Sequence, residues 1–342
     1  MTRKRIALIG YGNVGKAVTE LLAEVDPKGT KFTFSAIGSR SLGLLELNKA
    51  PPSSVKPQVD VALQNTKLKT IKDATYEITS WLREGDYDVL VEAIIANYDT
   101  GEPAITYIKT AFEQGKDVIT CNKAPLVLAM DRLQVIAARS GARLRYESTV
   151  LDGTPIFSIF RNALPKVRVK RIRGILNSTV NVVLDYLHQK LNLEQGIENA
   201  KMLGTAEEDP SLDLEGIDAA AKLVILVNTL SEMKIKLSDV EKQPLTQETF
   251  ENARNTCLYD QNIIIRQVSI ADFNSKTYRV NLEAVHPFDF LYGCRSTSNA
   301  AVFSLDLFGE LVIAEQNPSL KTTAFGIYSD LIDILQHGTV RV

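Results

Sequence analysis

The chain has 342 residues, 45% hydrophobic and 23% charged, with a formal net charge of −2. That length accommodates two domains, each with a core of its own. The near-neutral balance, without a long basic run, argues against nucleic acid or an anionic membrane surface as partner.

The three cysteines, Cys121, Cys257 and Cys294, lie far apart without a CxxC, and the three histidines, His188, His286 and His337, are scattered. They suggest no disulfide framework or zinc site, give a Ser/His/Asp triad little material, and fit a reducing compartment. No apolar stretch reaches the roughly 18 residues of a membrane span. The chain starts directly on a strand with no signal peptide in view, so a cytoplasmic protein is expected.

RIALI, residues 5–9, reads as a buried strand, and GYGNVGKAVTELLAEV follows at once. Gly10, Gly12 and Gly15 form G-x-G-x-x-G in the strand-to-helix context that gives this motif meaning. Gly10 allows the tight turn, Gly12 a close approach to a pyrophosphate, and Gly15 close packing of helix on strand. With Asn13 and Val14 they make a cofactor-binding loop at a helix N-terminus, where free N–H groups attract phosphate. The alternative is a glycine-rich turn that binds nothing.

The second strand is FTFSAIG, residues 32–38. NAD enzymes usually place an acid at its end to hold the ribose 2′-hydroxyl. Here the chain reads Ser39, Arg40, Ser41, with no acid before Glu46. Ser39 and Arg40 suit a 2′-phosphate, so NADP is expected over NAD, with Lys56 a second phosphate candidate. Otherwise Arg40 is a solvated loop residue.

Residues 43–75 have weak periodicity and read as an irregular surface excursion. Regular alternation then resumes: strand 88–94, helix 105–115, strand 117–123, helix 131–141, strand 143–149. Strands alternating with helices predict an α/β, Rossmann-type doubly wound parallel sheet. Ligands in such sheets bind at the carboxyl ends of the strands. The glycine loop, the turn after Glu92 with Ala93, and Asn122–Lys123 all fall there.

In the second half, PKVRVKRIRGIL (165–176) alternates basic and apolar residues and reads as a strand with a solvated face. A helix follows NST at 177–179, with one of these three residues as N-cap, and another helix ends at Gly204. Strand-like runs at 262–270, 277–286 and 299–314, then a helix at 323–336, predict an α+β second domain. The expected division is 1–142, closed by a helix at 320–342, and 143–319.

GTAEEDPSLDLEGIDAAAKLVIL, residues 204–226, carries the most specific signal. A cluster of acids, including Glu207 and Asp213, precedes a helix whose only charges up to Ser231 are Asp218 and Lys222. Four residues apart, these two share one helix face. On a solvated helix such a pair is ordinary stabilisation. On a helix this apolar it is costly unless used, so the pair is also a candidate reaction centre.

IGYGNVG (9–15), TGEPAITYI (100–108), VITCNKAPL (118–126), YESTVLDGTPIF (146–157), GILNSTVN (174–181) and TAEEDPSLDLEGIDAAAKLVIL (205–226) occur in one order. In that ordered set the chain resembles the homoserine dehydrogenases along nearly its whole length. The resemblance implies NAD(P)-dependent interconversion of aspartate 4-semialdehyde and L-homoserine, on the route to threonine, methionine and isoleucine. It makes Lys222 the acid/base group and Lys123 the residue that orients nicotinamide and substrate. Glu207, Asp218, Asp213 and Thr179 become substrate-binding residues.

The resemblance further implies a monovalent cation, often sodium, around Glu147, Val150, Asp152 and Thr154, and a homodimer using the strands at 143–150 and 299–314. Two departures stand out: Leu151-Asp152-Gly153-Thr154 where a glycine-rich turn is usual, and EQNPSLKTTA (315–324) where many relatives have a glycine-rich loop. With no aspartokinase or regulatory domain in view, feedback inhibition by threonine is not expected. The competing readings are a dehydrogenase of another amino-acid semialdehyde and a non-catalytic NADP-binding sensor.

Overall fold

A computed structural model describes residues 3–66, 69–256 and 262–336, so Cys257 and His337 lie outside the described residues. Two compact units form: residues 1–153 with 319–342, and residues 154–318.

In chain order the first unit contains β1 (Lys4–Ile9), α1 (Asn13–Val25), β2 (Phe32–Ser39), β3 (Gly43–Ala50), α2 (Val55–Asn65) and α3 (Ile71–Glu84). β4 (Val89–Glu92), α4 (Ala104–Glu113), β5 (Asp117–Thr120), α5 (Lys123–Ser140) and β6 (Leu144–Arg145) follow. The sheet order is β3-β2-β1-β4-β5-β6. Every neighbouring pair is parallel except β2–β3.

Side-chain alternation explains why its central strands read as continuous apolar runs. Ile6, Leu8, Val89 and Val91 join one core with Val18, Leu22, Ile327 and Leu331. Ala7, Ile9, Leu90 and Val118 join another with Ile78, Ile108, Phe112 and Leu133.

The closing helix, Leu320–Gln336, belongs to this unit and packs on α1. Polar ties reinforce it. The Glu147 N–H donates to Asp330 at 2.9 Å, the Ser148 hydroxyl to the Thr323 carbonyl at 2.7 Å, and Arg145 pairs with Asp333 at 2.6 Å. A Cβ on Gly326 would lie 2.6 Å from the Gly153 Cα, so helix and turn touch backbone to backbone.

Three sequence expectations change here. Residues 43–75 hold β3, α2 and the start of α3, not an irregular excursion. β3 is an edge strand whose rhythm is broken by the left-handed residues Asn48 (φ 46°) and Lys49 (φ 66°). The prolines at 51–52 open a helical turn, where a missing N–H costs nothing. α5 begins at Lys123 rather than 131, since Asn122 caps it and Pro125 is harmless in its first turn. The strand expected at 143–149 is only Leu144–Arg145. The chain then tightens into a 3₁₀ turn, with the Thr149 hydroxyl donating to the Tyr146 carbonyl at 2.7 Å.

The second unit contains β7 (Val169–Ile175), α6 (Ser178–His188), α7 (Leu193–Met202), α8 (Ser211–Leu214), α9 (Ile217–Leu230), β8 (Glu241–Lys242) and α10 (Gln247–Asn255). β9 (Ile264–Asp272), β10 (Thr277–Val285), β11 (Asn299–Leu305) and β12 (Gly309–Glu315) complete it. Its sheet runs β12-β11-β7-β9-β10-β8, antiparallel except for β10–β8. Val180, Val183 and Leu187 of α6 pack with Ala200, Phe250, Ile265 and Leu282. The architecture is therefore α/β with two sheets. Among the described residues, no helix is long and apolar enough to cross a membrane.

Candidate active site

The three glycines of the loop have different surroundings. Gly10 adopts φ +109°, and a Cβ there would lie 2.3 Å from the Ala93 backbone. A Cβ on Gly15 would lie 2.0 Å from the Gly10 carbonyl oxygen. Gly12 differs: nothing stands within 4 Å of the place its Cβ would take. α1 has no side-chain cap and no acid in its first turn. Its free N–H groups and open approach fit a pyrophosphate. Asn13 is exposed and Val14 half-buried beside them.

At the end of β2, the Ser39 hydroxyl accepts from the Leu42 N–H at 3.1 Å and lies 3.3 Å from that of Ser41. Arg40 is exposed. Lys56 is spoken for by Glu20, at 2.9 Å. The structure adds Lys69, whose N–H donates to the Arg40 carbonyl at 3.1 Å and whose ammonium pairs with Glu77 at 2.6 Å. No sequence signal pointed to Lys69, because it lies within the stretch, 43–75, read as irregular.

Where β4 and β5 end, Glu92 is wholly buried. It accepts from the Thr120 hydroxyl (2.6 Å), the Ile94 N–H (2.9 Å) and the Asn122 amide (3.3 Å). Burial pushes its carboxyl above the usual range, and these three donors oppose that. Asn122 caps α5, accepting from the Ala124 N–H at 3.1 Å, and Lys123 is the first residue of that helix. Burial pushes the neighbouring Cys121 thiol up to about 12, which makes it a poor nucleophile.

The second unit holds a compact polar cluster. The sequence DPSLDLEG folds as α8 and a turn closed by Gly216 at φ +76°, with the Gly216 N–H donating to the Asp213 carbonyl at 3.0 Å. This return brings Asp213 beside the first turn of α9. The Asn177 amide then donates to both Asp213 (2.7 Å) and Asp218 (3.0 Å). Lys222 lies 2.9 Å from Asp218 and donates to the Leu176 carbonyl at 2.6 Å. Burial, and then the charge of Asp218, hold the Asp213 carboxyl above its ordinary range. An ammonium and two carboxylates so arranged can hold a cationic substrate group and move a proton at a substrate oxygen.

Asn177 is the member of this cluster that sequence reasoning did not place there. As the N-cap of α6 it was legible: its side-chain oxygen accepts from the Val180 N–H at 2.8 Å. Its amide partners lie 36 and 41 positions away, beyond any local pattern. Thr179 is buried and donates to the Thr205 carbonyl at 2.7 Å, which anchors the acidic loop. Glu207 is exposed on that loop and outside the hydrogen-bonded cluster.

Of the residues expected at a cation, Glu147, Val150 and Asp152 belong to the first unit and Thr154 to the second. Leu151 (φ 49°) and Asp152 (φ 48°) are both left-handed, so two residues other than glycine take a path that favours glycine.

Comparison with known proteins matches residues 155–332 to the homoserine dehydrogenase family and residues 10–147 to the homoserine dehydrogenase NAD-binding domain. The homoserine dehydrogenase of Sulfurisphaera tokodaii is 31% identical over 328 residues, covering 96% of this chain and 97% of that one. An NAD(+)-dependent homoserine dehydrogenase of Pseudomonas canavaninivorans is 28% identical, covering 99% and 98%. Among solved structures, a provisionally named homoserine dehydrogenase of Archaeoglobus fulgidus superposes with a TM-score of 0.81 at 31% identity, over 97% of this chain and 99% of that one. A hyperthermophilic archaeal homoserine dehydrogenase in complex with NADPH gives 0.80 at 26% identity, over 99% and 100%.

Proposed function

The chain belongs to the homoserine dehydrogenase family and is an NAD(P)-dependent oxidoreductase, and we propose how its own residues carry out the exchange of aspartate 4-semialdehyde and L-homoserine. The observation that carries this reading is the cluster of Asn177, Asp213, Asp218 and Lys222.

Gly10, Gly12, Asn13, Val14, Gly15 and Ala93 would hold the dinucleotide, supported by the open approach at Gly12. When bound, the nicotinamide supplies or accepts the hydride. Lys222 commits N–H groups to Leu176 and Asp218. Its third N–H remains for the substrate oxygen: the ammonium would give that proton on aldehyde reduction and become the neutral amine, and on alcohol oxidation the neutral amine would take the hydroxyl proton. Asp218 orients that ammonium. Asp213 and Glu207 would hold the substrate's own ammonium, and Thr179 fixes the loop that presents Glu207. Lys123 orients the reactants from the start of α5.

NADP over NAD is supported by the exposed Arg40 beside the hydroxyls of Ser39 and Ser41. Substituting Arg40→Ala should weaken NADP more than NAD. A sodium ion at Glu147, Val150, Asp152 and Thr154 is supported by the sharp turn at Leu151–Asp152. A homodimer is supported by the edge strand β12, which exposes Val312, and by the exposed Leu307 and Phe308 in the turn that precedes it. A cytoplasmic setting is supported by the free thiols of Cys121 and Cys294.

The test is reduction of NADP or NAD with L-homoserine at mildly alkaline pH, by the wild type and by Lys222→Ala. Turnover that falls at least ~10²-fold in the variant, with cofactor binding kept, supports the assignment. A wild type that binds cofactor but leaves homoserine untouched refutes it.

A further inference from the structure

Among the described residues, Glu92 is the one carboxyl with a relative exposure of 0%, and the chemistry above leaves it unused. No lysine or arginine pairs with it among the described residues. A buried acid of this kind is costly, and an amide or hydroxyl could cap a turn at lower cost. Its position gives it a use. Glu92 stands opposite Thr120 in the β4–β5 ladder. It accepts the Thr120 hydroxyl, and the Thr120 oxygen in turn accepts the Asn122 N–H at 3.0 Å. It also accepts the Asn122 side-chain amide, whose oxygen caps α5. Both the backbone and the side chain of Asn122 are thus fixed by one carboxyl, and the next residue is Lys123.

We propose that Glu92 is a positioning residue that sets Lys123 by clasping Thr120 and Asn122 across the ends of β4 and β5. The inference rests on the reading of Lys123 as the orienting lysine. Glu92→Ala removes the acceptor and lets the cap turn. Glu92→Gln keeps it: the carbonyl oxygen can accept from Ile94 and Asn122, while the new N–H₂ donates to the Thr120 oxygen. A second contact offers a rival account. The Ile94 N–H bond fixes the backbone next to Ala93, which backs Gly10. Through it, Glu92 would brace the cofactor loop instead.

The test is a double-mutant cycle on homoserine oxidation, with NADP affinity measured for every variant. Glu92→Ala should lower kcat at least ~30-fold with NADP affinity within about threefold, and Glu92→Gln should recover most of the loss. In a Lys123→Ala background, Glu92→Ala should cost less than about threefold, because the residue it acts through is gone. Equal losses in both backgrounds, equal losses for Ala and Gln, or a loss explained by NADP affinity would each overturn the proposal. Should Glu92→Ala fail to fold, Thr120→Val opens the same clasp, and its coupling to Lys123→Ala decides in the same way. Lys123→Ala with full activity would overturn the reading of Lys123 itself, a separate result.

Discussion

The Asp218 carboxylate and the Lys222 ammonium meet at 2.9 Å one turn apart on α9, with side-chain exposures of 14% and 15%. A surface pair of this spacing contributes little. This one sits on a helix whose residues 219–221 and 223–228 are all buried, so it is held where few charges would be tolerated. Asp218→Asn keeps the shape and removes the charge that orients Lys222. The expected outcome is a fall in kcat of about 10²-fold, with unchanged NADP affinity and little change in melting temperature. A melting temperature that drops sharply while kcat holds would mark the pair as purely structural.

Asn177 separates capping from chemistry. Asn177→Ser keeps an oxygen that can cap α6, so the stability loss should stay below about 1 kcal/mol. It loses both donors to Asp213 and Asp218, and kcat/KM for homoserine should fall about tenfold or more. Asn177→Asp caps equally well but sets a third carboxylate against two others. It should be the less active of the two variants, with the KM for NADP unmoved in both. The reverse order in homoserine kinetics would exclude an electrostatic role.

The contrast between what the sequence disclosed and what it hid has a physical cause. The strand–glycine loop–helix start was legible because its signals are local: an apolar run, three spaced glycines and an amphipathic period. The Asp218/Lys222 pair was legible because helical spacing alone puts both on one face. β3 was hidden because an edge strand need not be apolar, and the left-handed Asn48 and Lys49 spoil its alternation. The first turns of α5 were hidden because Pro125 reads as a break unless the cap at Asn122 is already known. The approach of Asp213 to Asp218 depends on the left-handed Gly216, and the Asn177 bridge on tertiary contact. Neither leaves a mark at short range.

Asp213 gives the pH dependence. Its carboxyl is raised in the folded chain by burial and by Asp218. The folded state therefore holds that proton more tightly than the unfolded state does. Its ionisation costs stability, starting above the unfolded value of 3.8 and complete once pH has passed the folded value. Asp213→Asn escapes the cost. Thermal melts should show the variant level with the wild type near pH 4 and more stable, by a few degrees, at pH 8. Activity toward homoserine should be lost over the same range, as expected where a site gives up stability for function. An advantage that shrinks with rising pH would reverse the sign and refute the assignment.

The glycine loop allows two substitutions of the same size to fail in different ways. At Gly15 a Cβ would come within 2.0 Å of the Gly10 carbonyl, a backbone atom that cannot swing aside. Gly15→Ala must push α1 off β1, and a loss of about 1–3 kcal/mol is expected. Gly12 has φ −84°, a value alanine adopts freely, and nothing lies within 4 Å of its Cβ position. Gly12→Ala should fold as well as the wild type, or gain about 0.4–1 kcal/mol from a less flexible unfolded chain. The added methyl, however, occupies the space through which a pyrophosphate would reach the α1 N–H groups, so NADP affinity should fall at least tenfold. Melting curves and an NADP titration of the two variants separate packing from binding. Gly12→Ala that binds NADP like the wild type would mean that the phosphates do not sit on this loop.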